Sequence, residues 1–198
     1  MNIIPQKAID LILNAEGVDQ PWQWPGGASG ITIGYGYDLG YEQNFVRDWD
    51  GYLAIDVIAR LQMALGKTGE NAHIWAPRFS DITIAKDIAL AVFENFTLPH
   101  YASETILAFP GLDRLPTIVR GALVSLVFNR GTSMIGPRRS EMRAIRDAVT
   151  KGDLREIARQ LRAMKRLWAG QGLDGLLKRR EAEAQLVEEA MNGASDAT

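Results

Sequence analysis

Gly30-Ile31-Thr32-Ile33-Gly34-Tyr35-Gly36-Tyr37-Asp38-Leu39-Gly40 is the stretch on which the reading of this chain turns. Ile31, Ile33, Tyr35 and Tyr37 share one parity, and Thr32, Gly34, Gly36 and Asp38 share the other, the two-residue period of extended chain. Fully extended, the six residues from Thr32 to Asp38 would span roughly 20 Å, too far for the two side chains to act on one water. The chain must therefore turn back at Gly34-Tyr35-Gly36, which the glycines permit. Upstream, residues 4–16 place Ala8, Ile9, Ile12 and Leu13 on one helical stripe, with Pro5 in the first turn and Gly17 suited to a left-handed cap. Glu16 closes that helix. One carboxyl at a helix end, then a hydroxyl and a second carboxyl in a glycine-rich turn, is equipment for acid–base chemistry by two carboxyls in different environments.

The rest of the chain reads as helices. Residues 18–40 form short strands and turns, and from about 43 the pattern becomes helical. Candidate helices cover 52–65, 84–96 with Thr83 as cap, 98–108 closed by Pro110-Gly111, 116–129, 138–150, 153–166 and 173–192. The stretch 66–82 reads mostly as loop, with Gly66, Gly69, Pro77 and Ser80. In 116–129 the apolar stripe of Ile118, Val119, Ala122, Leu123, Leu126 and Val127 is broad enough for a buried central helix. The expected class is α+β, mainly α. A small β lobe at about 18–40 and a larger helical lobe at about 43–192 make one domain over 1–198, with a frayed tail at 193–198.

Composition narrows the function classes. The chain has 198 residues, 46% hydrophobic and 23% charged, the balance of an ordinary globular domain. It has no cysteine, so neither disulfides nor thiolate metal sites are possible. Asp10 and Asn14 interrupt the apolar residues of the N-terminus, and no signal peptide is expected there. No apolar run approaches a membrane-spanning length, and no membrane insertion is expected. His73 and His100 are isolated, with no second ligand at metal spacing. Gly34-x-Gly36-x-x-x-Gly40 is not the dinucleotide spacing, and no Gly-x-Ser-x-Gly or cysteine nucleophile occurs. Neither metal nor organic cofactor is expected, and nucleic-acid binding is not expected either. The net charge of −2 conceals an asymmetry: residues 1–110 hold 6 Lys/Arg against 13 Asp/Glu, and residues 111–198 hold 16 against 11.

Three blocks in order carry a resemblance. Glu16-Gly17 with Thr32-Ile33-Gly34-Tyr35-Gly36 is the first, and Gly121-Ala122-Leu123-Val124-Ser125-Leu126-Val127-Phe128-Asn129-Arg130-Gly131 is the second. The third is Trp168 followed by Gly175-Leu176-Leu177-Lys178-Arg179-Arg180-Glu181-Ala182-Glu183. Together they resemble the phage-type lysozymes of glycoside hydrolase family 24. One departure stands out. The segment Pro25-Gly26-Gly27-Ala28-Ser29, where most of the family keeps an acid shortly before the threonine, has no carboxylate. The order Glu16, Thr32, Asp38 instead resembles the pesticin-type muramidase domain of the same superfamily, and Asp19 is the reserve carboxylate.

The resemblance implies two lobes flanking a cleft and hydrolysis of the β-1,4 bond between N-acetylmuramic acid and N-acetylglucosamine in peptidoglycan. Glu16 would be the general acid, its pKa raised by burial and by the helix C-terminus. Asp38 would stay ionised beside the water or the oxocarbenium-like carbon, and Thr32 would hold the water. Plainer readings exist: a surface Glu before a Gly cap, a turn Asp capping its own backbone at Leu39-Gly40, a strand threonine. Tyr35, Tyr37, Phe128, Asn129 and Ser140 are candidate substrate-binding residues, with Tyr35 and Tyr37 equally suited to the core of the small lobe. Arg179 and Arg180 would hold the last helix through spacings such as Arg179 to Glu183, or pair with Glu16. The expected partner is the peptidoglycan glycan strand, met by a monomer made in the bacterial cytoplasm and acting on the wall after release. A non-catalytic wall-binding protein of the same fold and a lytic transglycosylase remain as alternatives.

Overall fold

Along the chain run α1 (Gln6–Ala15), β1 (Thr32–Ile33), β2 (Tyr37–Asp38), α2 (Phe45–Trp49), α3 (Ile55–Leu61), α4 (Gly69–Trp75) and α5 (Lys86–Val92). Then follow α6 (Leu98–Ala108), α7 (Thr117–Arg130), α8 (Ser140–Lys151), α9 (Leu154–Ala163) and α10 (Asp174–Ser195). The computed structural model describes residues 4–195. The fold is mainly α with one small two-stranded sheet, the α+β class expected. No helix among the described residues is long and apolar enough to cross a membrane. The chain divides into two units, Glu16–His100 and Met1–Ala15 with Tyr101–Thr198. This division falls elsewhere than the expected lobes: α1 groups with the C-terminal helices, and the unit bearing the sheet also holds α2 to α5.

In the discontinuous unit, α7 is apolar almost all round, burying Val119, Ala122, Leu123, Val124, Leu126 and Val127. It packs against α1 and α10, and α9 lies against both α8 and α10. A helix buried on every side must meet close neighbours, and Gly121 provides one approach: a Cβ there would stand 2.5 Å from the Cβ of Ala8 on α1. The same interior holds Arg179, Arg180 and Glu183 of α10 and Ser125 of α7, all buried. Glu183 accepts from Arg180 at 2.6 Å and from the Ser125 hydroxyl at 2.7 Å, and Arg179 Nε donates to the same hydroxyl at 3.1 Å. The expected Arg179–Glu183 approach is present at 3.6 Å. Removing one member of such a cluster would leave a buried charge without its partner, a far larger loss than breaking a surface pair.

The Glu16–His100 unit builds its core from Ile31, Ile33, Leu39, Phe45, Trp49, Leu61, Phe79, Ile84 and Phe93. Its chain departs from the expected pattern in three places. The stretch 66–82 contains α4 and a further single turn over Ala76–Phe79. Seven residues between Gly66 and Pro77 show too little periodicity to register, and packing of Ala72 and Ala76 supplies what propensity does not. Thr83 caps nothing: the cap position is Ala85, because the Gln20 side chain grips the backbone of Ile84 at both N–H (2.8 Å) and C=O (3.1 Å) and holds it out of the helix. The two helices expected over 84–96 and 98–108 run together through a wider turn at Phe93–Thr97. Pro99 has no N–H to give and its ring crowds the preceding turn, and the wider turn accommodates both. At the other end α10 continues to Ser195, and residues 196–198 of the tail expected to fray lie outside those described.

Gly121→Ala therefore tests the α1–α7 contact. Helix propensity alone would favour alanine by up to about 1 kcal/mol, but the overlap with Ala8 is expected to win and cost about 1–3 kcal/mol. Urea denaturation would read the sign, and Ala8→Gly in the same protein should recover most of the loss.

Candidate active site

Thr32 and Asp38 face each other across the hairpin: β1 pairs antiparallel with β2 in the register Thr32 to Asp38 and Ile33 to Tyr37. Directly opposed residues lie about 4.5–5.5 Å apart at Cα, instead of the extended span. The reversal uses Gly34 (φ 62°) and Gly36 (φ 70°), left-handed conformations that a side chain would resist. Behind the turn the backbone of Asp19 bridges that of Gly34 in both directions, at 2.7 and 2.9 Å. That bridge brings Asp19 beside the hairpin. Glu16 stands one residue beyond the last residue of α1 and is half-buried.

Asp38 ties the hairpin to its own flanks. Its Oδ2 accepts from the Gly30 amide at 3.0 Å and its Oδ1 from the Gly40 amide at 2.8 Å. The two glycines approach so closely that a Cβ on Gly30 would stand 2.2 Å from Asp38 Oδ1 and 2.4 Å from Gly40 N. The carboxylate thus caps its own backbone at Gly40, as the plainer reading of Asp38 has it. Burial pushes its carboxyl above the ordinary aspartate range, and the two amides pull it back.

Asp19 is held more loosely, accepting one long bond of 3.4 Å from the Gly36 amide. Burial pushes its carboxyl up to about 6; the Gly36 amide opposes the rise, and the charges of Glu16 and Asp38 add to it. Within the Glu16–His100 unit Asp19 therefore feels the charges of both Glu16 and Asp38, and the buried Thr32 lies across the hairpin from Asp38. Sequence spacing left Asp19 in reserve, three residues past Glu16. Its nearness to Asp38 depends on the pairing with Gly34, which is not a local signal.

The remaining candidates are distributed otherwise. Tyr35 and Tyr37, expected to bind substrate or to fill the core, are 5% and 2% exposed. Tyr37 stacks edge-on to Trp49 and donates from its hydroxyl to Asp48 at 2.9 Å, and Tyr35 meets the edge of Phe93. Their rings are core, because the parity that exposes Thr32 and Asp38 to one another turns both tyrosines inward. Phe128, Asn129 and Ser140 belong to the other unit. Phe128 packs on Tyr101 with ring centres 4.7 Å apart. The Ser140 hydroxyl accepts from Arg166 at 2.9 Å and lies 3.0 Å from Glu141 Oε2, so it is bound within the protein. Of the aromatics upstream, Trp24 stacks on His73 at 4.8 Å, which gives that isolated histidine a packing role.

The phage lysozyme family model matches residues 100–183, from the first turn of α6 into α10. The match covers the second and third sequence blocks and supports a lysozyme-type peptidoglycan hydrolase in general. Glu16, Asp19, Thr32 and Asp38 lie upstream of it. None of the curated proteins compared matches this chain.

The raised Asp19 carboxyl has a consequence for stability. Between the ordinary carboxyl range and about pH 6 the folded state holds a proton that the unfolded state releases, so this group's contribution falls as pH rises through that window. Asp19→Asn, which copies the neutral form, is expected to raise stability at pH 7 by about 1–3 kcal/mol and to be nearly neutral at pH 4. Denaturant titrations at the two pH values would check this.

Proposed function

We propose, taking the phage-lysozyme match over residues 100–183 as the premise, that this protein is a peptidoglycan N-acetylmuramidase. It would cleave the β-1,4 bond between N-acetylmuramic acid and N-acetylglucosamine. The observation that carries the reading is that Asp19 lies within reach of the charges of Glu16 and Asp38, while Thr32 is paired opposite Asp38 on the same hairpin. Two carboxyls of different environment, one to donate a proton and one to stay charged, are what glycoside hydrolysis needs.

Glu16 donates its proton to the leaving glycosidic oxygen. Thr32 holds the water that attacks the anomeric carbon. Asp38, anchored by two amides, fixes the hairpin that carries Thr32 and sets a negative field for the oxocarbenium-like transition state. The reaction balances as water added across the bond: hydroxide goes to the anomeric carbon, the Glu16 proton to the departing sugar, and the proton of the water to Asp38, from which solvent returns it to Glu16. No metal or cofactor takes part. The order Glu16, Thr32, Asp38 resembles the pesticin-type muramidase domain, of the same superfamily as glycoside hydrolase family 24. Made in the bacterial cytoplasm, the enzyme would act as a monomer on the wall after release or delivery.

A second assignment of the base is favoured by one observation. Asp19 carries the looser carboxyl, raised to about 6 and coupled to Glu16. In that assignment Asp19 takes the proton from the water, and Asp38 only holds the turn.

Turbidity loss of purified peptidoglycan, with mass analysis of the fragments, tests the reading. Wild type is expected to release reducing muropeptides, and Glu16→Gln to lose about a hundredfold or more of the rate. Products ending in 1,6-anhydro sugars would instead establish a transglycosylase, and wall binding without any cleavage would sink the enzyme reading. The base is identified by pH. If Asp19 is the base, the acid limb of kcat/KM near pH 6 disappears in Asp19→Asn and persists in Asp38→Asn.

A further inference from the structure

Two cations lie against one indole in the Glu16–His100 unit. Lys67 Nζ stands 4.3 Å from the Trp75 ring centre, and the Arg78 guanidinium carbon stands 4.2 Å from it. Trp75 ends α4, and Arg78 belongs to the single turn Ala76–Phe79 that follows. Trp75 and Ile74 precede Arg78 by three and four residues, so the three side chains are neighbours on one side of that turn. Its other side is buried through Ala72, Ala76 and Phe79. Arg60 Nη2 donates to the Arg78 carbonyl at 3.1 Å, which brings the end of α3 to the same place. Ile74 is 60% exposed, and Met63, three residues past Arg60, is 53% exposed.

The unit around this spot is acidic: residues 16–100 hold 5 Lys/Arg against 11 Asp/Glu. Two of the five cations are taken up by carboxylates, Arg47 by Asp48 and Arg60 by Asp81. Lys67 and Arg78 form no salt bridge with any described residue. The acids nearest to them in sequence face elsewhere, Glu70 towards His73 at 3.6 Å and Asp81 towards Arg60 at 2.6 Å. A basic spot on an acidic unit selects an anionic partner for this one face. Each cation lays its stem or plane along the indole and keeps its charge at the surface, with the apolar tips of Ile74 and Met63 exposed nearby. Cations, an indole and exposed apolar tips are what a protein resting on a headgroup layer presents. So few side chains cover far less than the roughly 800 Å² per partner of a stable protein complex, whereas a lipid surface demands no matching contour.

We propose that Lys67, Ile74, Trp75 and Arg78, with Met63 beside them, form a peripheral docking face for an anionic phospholipid surface. The inference does not rest on the muramidase reading. The face lies on the headgroup layer and inserts no helix: the two cations meet the lipid phosphates, and Ile74 and Met63 reach the boundary with the acyl chains. The attraction is that of a diffuse negative field, so it depends on charge more than on the shape of the cationic group, and salt screens it. The acidic remainder of the unit is repelled by the same field, which favours contact through this face alone. An enzyme that acts on wall material is thereby held at the membrane beside its substrate.

Co-sedimentation of the full-length protein with vesicles tests this. Vesicles of equal parts phosphatidylglycerol and phosphatidylcholine are expected to bind it, and vesicles of phosphatidylcholine alone to leave it in solution. Lys67→Gln/Arg78→Gln should weaken binding about tenfold or more, and Ile74→Asn should weaken it as well. Lys67→Arg/Arg78→Lys, which keeps both charges, should bind as wild type does. The substituted side chains stand at the surface, and the urea midpoint of the Gln variant should match that of wild type, so its loss of binding is not a loss of fold. Inorganic phosphate should release the protein no better than sodium chloride of equal ionic strength. No binding to the anionic vesicles, equal binding to the neutral ones, or an unchanged Gln variant would each overturn the docking face. A charge-preserving variant as weak as the Gln variant, or release by phosphate beyond the salt effect, would replace it with a fixed site for a soluble anion. Loss of wall hydrolysis is a separate readout, and an inactive wild type would end the muramidase reading while the vesicles still decide this one.

Discussion

The Asp38 carboxylate, stretched between the amides of Gly30 and Gly40, is the constraint on which the candidate site depends. Two backbone segments can cross at that distance only where neither carries a Cβ, and two amides facing one carboxylate need an acceptor at that point. The crossing closes the hairpin at its base, and Gly34 and Gly36 close it at its tip. Between the two, Thr32 is set opposite Asp38 and the tyrosines are driven inward. The same residue serves the architecture and, in the proposed reaction, would also supply the field; the two roles are separable only by a substitution that keeps the acceptor and removes the charge.

The other unit has a corresponding internal anchor. Glu183 sits at the centre of α10, wholly buried, and joins Arg180 and Arg179 of its own helix to Ser125 of α7. Burial pushes the Glu183 carboxyl up, and the two arginines hold it down. Apolar packing would suffice to bring α7 and α10 together; the charged cluster adds a demand on which residues face each other, because a slipped register would leave a buried charge unpaired.

Much of this was legible in advance. The helical stripe in α1, the broad apolar face of α7 and the need for a reversal at Gly34-Tyr35-Gly36 all follow from local spacing, and each appears where the residues place it. What failed was also local reasoning, applied where distant residues decide. Thr83 had the chemistry of a cap, yet Gln20 holds the adjoining backbone from 64 positions away. The segments 84–96 and 98–108 read as two helices, and a wider helical turn at Phe93–Thr97 joins them. α4 was hidden by glycine and proline on either side of a helix too short to show a period.

By itself the sequence determined the class of fold, the glycines that let the chain reverse, and the supply of carboxyls and a hydroxyl near the N-terminus, because each follows from the geometry of a few neighbouring residues. Only the tertiary structure decided which aspartate is clamped by two amides and which is raised to about 6 with the Glu16 charge adding to the rise. It also decided that Tyr35 and Tyr37 are core. Desolvation and charge coupling are properties of what surrounds a group, and those surroundings are assembled from segments that the sequence keeps apart.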